Sequence, residues 1–142
     1  MGLYDQFSTD KDIEINGVKV DFGDFRVRIA RAGGHNQKWA KIVEAKSRPF
    51  KTAIQANALS NEKATQLMAE IYAEAVVKGW ETLVGDEWQD GIEGPDGDLL
   101  PCTQENVKVT LTALPDLFAL IQQHAQDLAV FRDASLAEDA KN

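Results

Sequence analysis

Apolar and polar residues alternate from the first part of the chain, where Ile13-Glu14-Ile15 and Val18-Lys19-Val20 flank Asn16-Gly17. Both central positions of a type I′ turn need positive φ, so this pattern predicts a β-hairpin around Asn-Gly. Phe25 to Ala30 alternates again and predicts a third strand, with Arg26 and Arg28 on the face opposite Val27 and Ile29. Ala32-Gly33-Gly34 ends the sheet. From Asn36 the spacing becomes helical, with Trp39, Ile42 and Val43 falling three or four residues apart, until Pro49 breaks or kinks the helix.

Ser60 is the predicted N-cap of the next helix, with Glu62 in a first turn where the helix dipole favours an anion. Its apolar stripe runs through Leu67, Met68, Ile71, Tyr72, Ala75 and Val76 to an end near Gly79. The run GDEWQDGIEGPDGDLLP, from Gly85 to Pro101, predicts an exposed loop. Thr103 then caps a helix carrying Val107, Leu111 and Leu114. Pro115 opens a last helix as its first residue, and Leu117, Phe118, Ile121, Leu128 and Phe131 form its apolar face. The closing DASLAEDAKN is polar and expected to fray.

The expected fold class is α+β, predominantly α: a small N-terminal antiparallel β-hairpin or three-stranded sheet followed by about four helices. One domain is expected over residues 1–142, with a β-rich part at 1–34, a helical part at 35–134 and a flexible tail at 135–142.

Composition narrows the function classes. The single cysteine, Cys102, rules out an intramolecular disulfide and suits a reducing cytoplasm. No apolar run approaches the length of a membrane span, and the start MGLYDQFSTDKD has no leader-like pattern. Gln6 stands where a myristoylation signal requires Ser or Thr. A membrane partner is therefore not expected.

Charge is segregated. The net charge is -8, yet Arg26 to Lys51 holds eight basic residues and one acidic residue, Glu44, for a local +7. The remainder carries seven basic and twenty-two acidic side chains, for -15. Such a layout favours a partner of defined shape and sign.

Catalytic and metal chemistry finds little support in the sequence. His35 and His124 lack the paired spacing of a metal site, and one cysteine cannot complete it. Cys102 sits at a helix start, where dipole and amides lower a thiol pKa, but a catalytic thiol also needs a base beside it. The Asp86–Gly97 run fails as a calcium loop because Trp88 takes its third position and Gly97 its twelfth. Gly33-Gly34 lacks the residues of a phosphate-binding motif. The chain reads as a non-enzyme without cofactor or metal.

The candidate partner-binding residues are Arg26, Arg28, Arg31, Lys38, Trp39, Lys41, Lys46, Arg48 and Lys51. Trp39 and Phe50 would offer stacking to nucleic acid. The acidic remainder would repel a polyanion, so nucleic acid is disfavoured. Another protein, or a second copy meeting basic face to acidic face in a homo-oligomer, matches the electrostatics better.

Seven stretches in order carry a family resemblance: LYDQFSTDKDIE, RIARAGGHNQKW, RPFKTAI, MAEIYAEAVVKGWE, PCTQENV, LPDLFALIQ and LAVFRDASLAEDAKN. Through them nearly the whole chain resembles the tail assembly chaperones of long non-contractile-tailed bacteriophages, as a short-frame product. The resemblance implies binding to the tape measure protein, keeping it soluble, and recruitment of tail tube protein through a frameshifted longer product. It also implies residence in the host cytoplasm and absence from the mature virion. Codons for Ala140-Lys141-Asn142 are the expected slippage site. The alternative is a nucleic-acid-binding or host-modulating phage protein using the basic segment 26–51.

Overall fold

The computed structural model describes residues 2–141, with side chains described through Ala137. Two helices, α1 (Leu3–Phe7) and α2 (Lys11–Asn16), precede any strand. Asp10 decides the second. Its carboxylate accepts from the N–H groups of Asp12 at 2.8 Å and Ile13 at 3.3 Å, satisfying donors that a helix start leaves open. Gly17 closes the helix at φ 99°, its N–H donating to the Ile13 carbonyl at 2.8 Å. The expected turn at Asn16-Gly17 is therefore corrected. The positive φ that Asn-Gly favours serves a helix C-terminus, and Ile13 to Ile15 are helical.

The hairpin forms one step later, between β1 (Val18–Asp21) and β2 (Phe25–Ile29), with Val18 opposite Ile29 and Asp21 opposite Arg26. Phe22 N–H donates to the Phe25 carbonyl at 2.9 Å, and Asp21 accepts from Gly23 N–H at 2.8 Å. Then come α3 (Gln37–Ser47), a 3-10 turn over Arg48–Phe50 at Pro49, α4 (Lys51–Gln55) and α5 (Asn61–Ala75). Ser60 caps α5 by accepting from Lys63 N–H at 3.2 Å.

α5 stops at Ala75 rather than near Gly79. The β-branched pair Val76-Val77 leads instead into β3 (Val77–Val84), which pairs with β2 so that Trp80 faces Val27. A two-residue turn, Gly85-Asp86, returns the chain as β4 (Glu87–Asp90), with Gly85 at φ 64° as a glycine-first hairpin turn requires. The four strands form an antiparallel sheet in the order β1-β2-β3-β4, and β5 (Ile92–Glu93) pairs with β6 (Leu99–Leu100). The expected fold class is thus overturned. Strands lie on both sides of α5, the first 34 residues hold two helices as well as a hairpin, and the expected open loop carries β4, β5 and β6.

Thr103 caps α6 (Gln104–Ala113), accepting from Asn106 N–H at 3.1 Å, and Pro115 opens α7 (Pro115–Gln126). The expected single last helix divides at Asp127, whose carboxylate accepts from Ala129 N–H at 2.9 Å and starts α8 (Leu128–Lys141). The backbone of the expected tail is helical from residue 135 to Lys141. Asn142, with the side chains from Glu138 onward, lies outside the described residues, and so does the Ala140-Lys141-Asn142 end as a side-chain feature.

The core lies between one sheet face, bearing Val27, Ile29 and Trp80, and the inward sides of α5, α6 and α7. Tyr72 is fully buried, with ring centroids 5.3 Å from both Trp39 and Phe118 in edge-on geometry. The opposite sheet face presents Lys19, Arg26, Arg28, Gly79 and Glu81. Indole Nε1 of Trp80 donates to the Leu100 carbonyl at 2.9 Å, which fastens the small second sheet to the large one.

Candidate functional site

The basic segment does not form one surface; the fold distributes it over three places. Arg26 and Arg28 stand on the outer face of β2. Arg26 pairs with Glu81 and lays its guanidinium 4.0 Å from the centre of the Trp88 ring, a cation–π contact. Among the described residues Arg28 reaches only the Gly17 carbonyl, at 3.4 Å.

Arg31 belongs to a buried clasp that sequence reasoning missed. Its partner is Glu14 on α2, a carboxylate with no exposed surface. Thr9 donates its hydroxyl to the same carboxylate at 2.7 Å, and His35 Nδ1 lies 2.5 Å from it. Burial pushes the Glu14 carboxyl up, but hydrogen bonds from Arg31 and Thr9 and the charges of Arg31 and His35 outweigh it. The group is held below the ordinary carboxylate range. Asn36 completes the loop by donating to the carbonyls of Arg31 at 2.8 Å and Ala75 at 3.1 Å. Gly34 is required here, because its φ is 54° and a Cβ would collide with the Glu14 carboxylate. The RIARAGGHN stretch is thus largely an anchoring device. No single-sequence signal distinguishes Glu14 from the other acidic residues; only the third-dimension approach of α2 to the β2–α3 loop does.

The third place is the elbow of α3, the 3-10 turn and α4. Here an open groove of about 810 Å³ has Trp39, Val43 and Ile54 as its apolar lining and Glu44, Arg48 and Lys51 as its charged rim. Arg48 pairs with Glu44. That hydrogen bond, helped by the charges of Arg48 and Lys51, holds the Glu44 carboxyl low. Lys51 makes no ion pair among the described residues and is the uncompensated cation of the rim. Lys46 pairs with Glu74 at 3.5 Å. Lys38 and Lys41 are exposed on α3, outside the groove lining, without an ion pair among the described residues. Burial, with a further push from the charge of Lys38, holds the Lys78 ammonium below its ordinary range. Trp39 is half-buried against Tyr72, so it serves as groove wall rather than as a free stacking platform.

His35 hydrogen-bonds to Glu14 through Nδ1, but among the described residues no hydroxyl or thiol bonds to its ring. His124 stands edge-on to Phe22 at 5.7 Å. Burial pushes the Cys102 thiol up to about 11, the opposite of an activated nucleophile. At pH 8 roughly one such thiol in a thousand is ionised. Native Cys102 should therefore react with a disulfide reagent at least about tenfold more slowly than in urea, since the higher nucleophilicity of a high-pKa thiolate offsets part of its scarcity, and equal rates would contradict its burial. Among the described residues no group of three or more His, Cys, Asp or Glu is arranged to hold a metal ion. No described helix is long and apolar enough to cross a membrane.

Comparison with known proteins matches residues 34–142 to the family described as YdaY prophage protein, a span covering α3 to α8 and thus the whole groove. No curated protein and no solved structure matches the chain. A match over so much of the chain makes this a phage-derived protein that belongs to the YdaY prophage protein family.

Proposed function

We propose that this protein is a phage tail assembly chaperone. It binds the tape measure protein, keeps it soluble, and helps recruit tail tube subunits during tail morphogenesis, the last through a frameshifted longer product. It works in the host cytoplasm and is not retained in the virion. The ordered resemblance to tail assembly chaperones motivates the class, and membership of a prophage family agrees with a phage setting. The observation that carries the reading is the α3–α4 groove, whose apolar lining and basic rim suit an amphipathic helix with acidic flanks. Tape measure chains are long and apolar before assembly, so a soluble acidic partner that covers such helices opposes their aggregation.

Coexpression tests this directly. The tape measure protein should move from pellet to supernatant and copurify with the chaperone. Ile54→Asp is the informative variant, because Ile54 is 44% exposed and its replacement spares the core. Loss of one apolar anchor, worth roughly 1.5–3 kcal/mol, should weaken binding about tenfold or more. Unchanged solubility of the tape measure protein, with no copurification, would sink the proposal.

The alternative, nucleic-acid binding or host modulation through residues 26–51, has fewer free cations to draw on. Arg26, Arg31, Lys46 and Arg48 already hold carboxylates. Tight, salt-sensitive DNA binding by the unmodified protein would promote it.

A further inference from the structure

Gly79 lies in the interior of β3, directly opposite Arg28, where glycine weakens a strand through backbone entropy and lost side-chain packing. Nothing among the described residues requires it. Its φ is not positive, and a Cβ built there would meet no atom within 4 Å. The neighbouring register shift adds Lys78 to β3 without asking for a left-handed residue at Gly79.

The missing side chain leaves a cup of about 190 Å³ on the sheet face that the helices do not cover. Lys19, Arg26 and Arg28 form its cationic wall, and Glu81 and Asp90 stand on the other side. Lys19 and Arg28 are direct cross-strand partners, a placement in which like charges repel. Glu81 answers two of the three cations, pairing with Arg26 and, at 3.1 Å, with Lys19. Arg28 has no carboxylate among the described residues. The row Lys19–Arg28–Gly79 across three strands is therefore two cations followed by a gap.

We propose that this cup binds a single oxyanion, a carboxylate or a phosphate group, which rests over Gly79 and is hydrogen-bonded by the Arg28 guanidinium once that side chain turns from the Gly17 carbonyl it holds in the free protein. A guanidinium fork matches the two oxygens of either group, and the absent Cβ lets the ligand approach the backbone. Asp90 opposes the anion from across Glu81, so it limits affinity rather than supplying it. This site lies on the sheet and is separate from the α3–α4 groove.

The full chain, labelled with ¹⁵N, should be titrated with sodium phosphate and with sodium acetate at constant ionic strength, following the Gly79 and Arg28 amides. Saturable shifts at these amides are expected. Saturation with phosphate alone assigns a phosphate-bearing ligand, saturation with acetate alone assigns a carboxylate, and saturation with both establishes a general oxyanion site. Gly79→Val should abolish the saturable shift while leaving the melting temperature unchanged or raised. Arg28→Gln should weaken binding at least about tenfold, the loss typical of one charge-assisted hydrogen-bonded pair. Asp90→Asn should tighten binding, which a purely structural role for the cup would not produce. Linear shifts equal to those with sodium chloride for both anions, or saturable binding retained by Gly79→Val and Arg28→Gln, would overturn the proposal.

Discussion

Replacing Glu14 by alanine is expected to destabilise the protein by about 3 kcal/mol, because breaking a buried pair strands its partner without a counter-charge. The Arg31 side chain is 22% exposed and so keeps some access to water, which places the effect at the lower end of the range for buried pairs. Thr9 and His35 lose their acceptor at the same time. Urea denaturation should show a lower midpoint with an unchanged slope. Glu14→Gln, which keeps an acceptor of the same shape, should fall between the two. The sign of the pH dependence follows from the depressed folded-state pKa. The stabilisation is fully present above the ordinary glutamate value of 4.5 and is lost as pH falls through the lower folded-state value. Part of the acid lability of the unmodified protein should therefore be missing from Glu14→Ala. An alanine variant as stable as the parent at pH 7 would show that the clasp contributes nothing net.

Tyr72→Ala should cost about 3–5 kcal/mol, as aromatic-to-alanine changes in closed cores do. The ring is wholly buried between Trp39 and Phe118, so its loss leaves a cavity edged by two aromatic side chains that it held in place. Trp39 lines the groove, so the same change should also weaken capture of a helical partner. Tyr72→Phe separates packing from polarity. Burial raises the hydroxyl's pKa, and Gln126 reaches it only at 3.3 Å, so removing the hydroxyl should cost less than about 1 kcal/mol. Thermal melts of the two variants distinguish the contributions, and equal losses would mean that the hydroxyl rather than the ring matters.

Local chemistry was legible in the sequence wherever a single residue decides an element's end. Ser60 and Thr103 cap helices, Pro49 interrupts one and Pro115 starts another. Alternation correctly separated Arg26 and Arg28 from Val27 and Ile29. What escaped were features settled between distant segments. Asn16-Gly17 suits both a hairpin and a helix end, and Asp10 decides between them. Val77 to Gly79 falls within the expected helix, yet pairing with β2 draws it into strand. The groove required the angle between α3 and α4 at Pro49, and charge count alone did not reveal which cations Glu14, Glu74 and Glu81 neutralise.

The pairing of Ile29 with Val77 has a consequence for synthesis. A ribosome making roughly 5–20 residues per second needs about 2 to 10 s to add the chain between them. Throughout that interval the β1–β2 hairpin has its apolar face and one hydrogen-bonding edge without their native cover. A two-stranded ribbon of this kind is marginal in water, and an open edge invites pairing with another nascent chain. Charged side chains of both signs on that ribbon, Lys19, Arg26 and Arg28 with Asp21 and Asp24, are costly to desolvate and so oppose edge-to-edge pairing before β3 arrives.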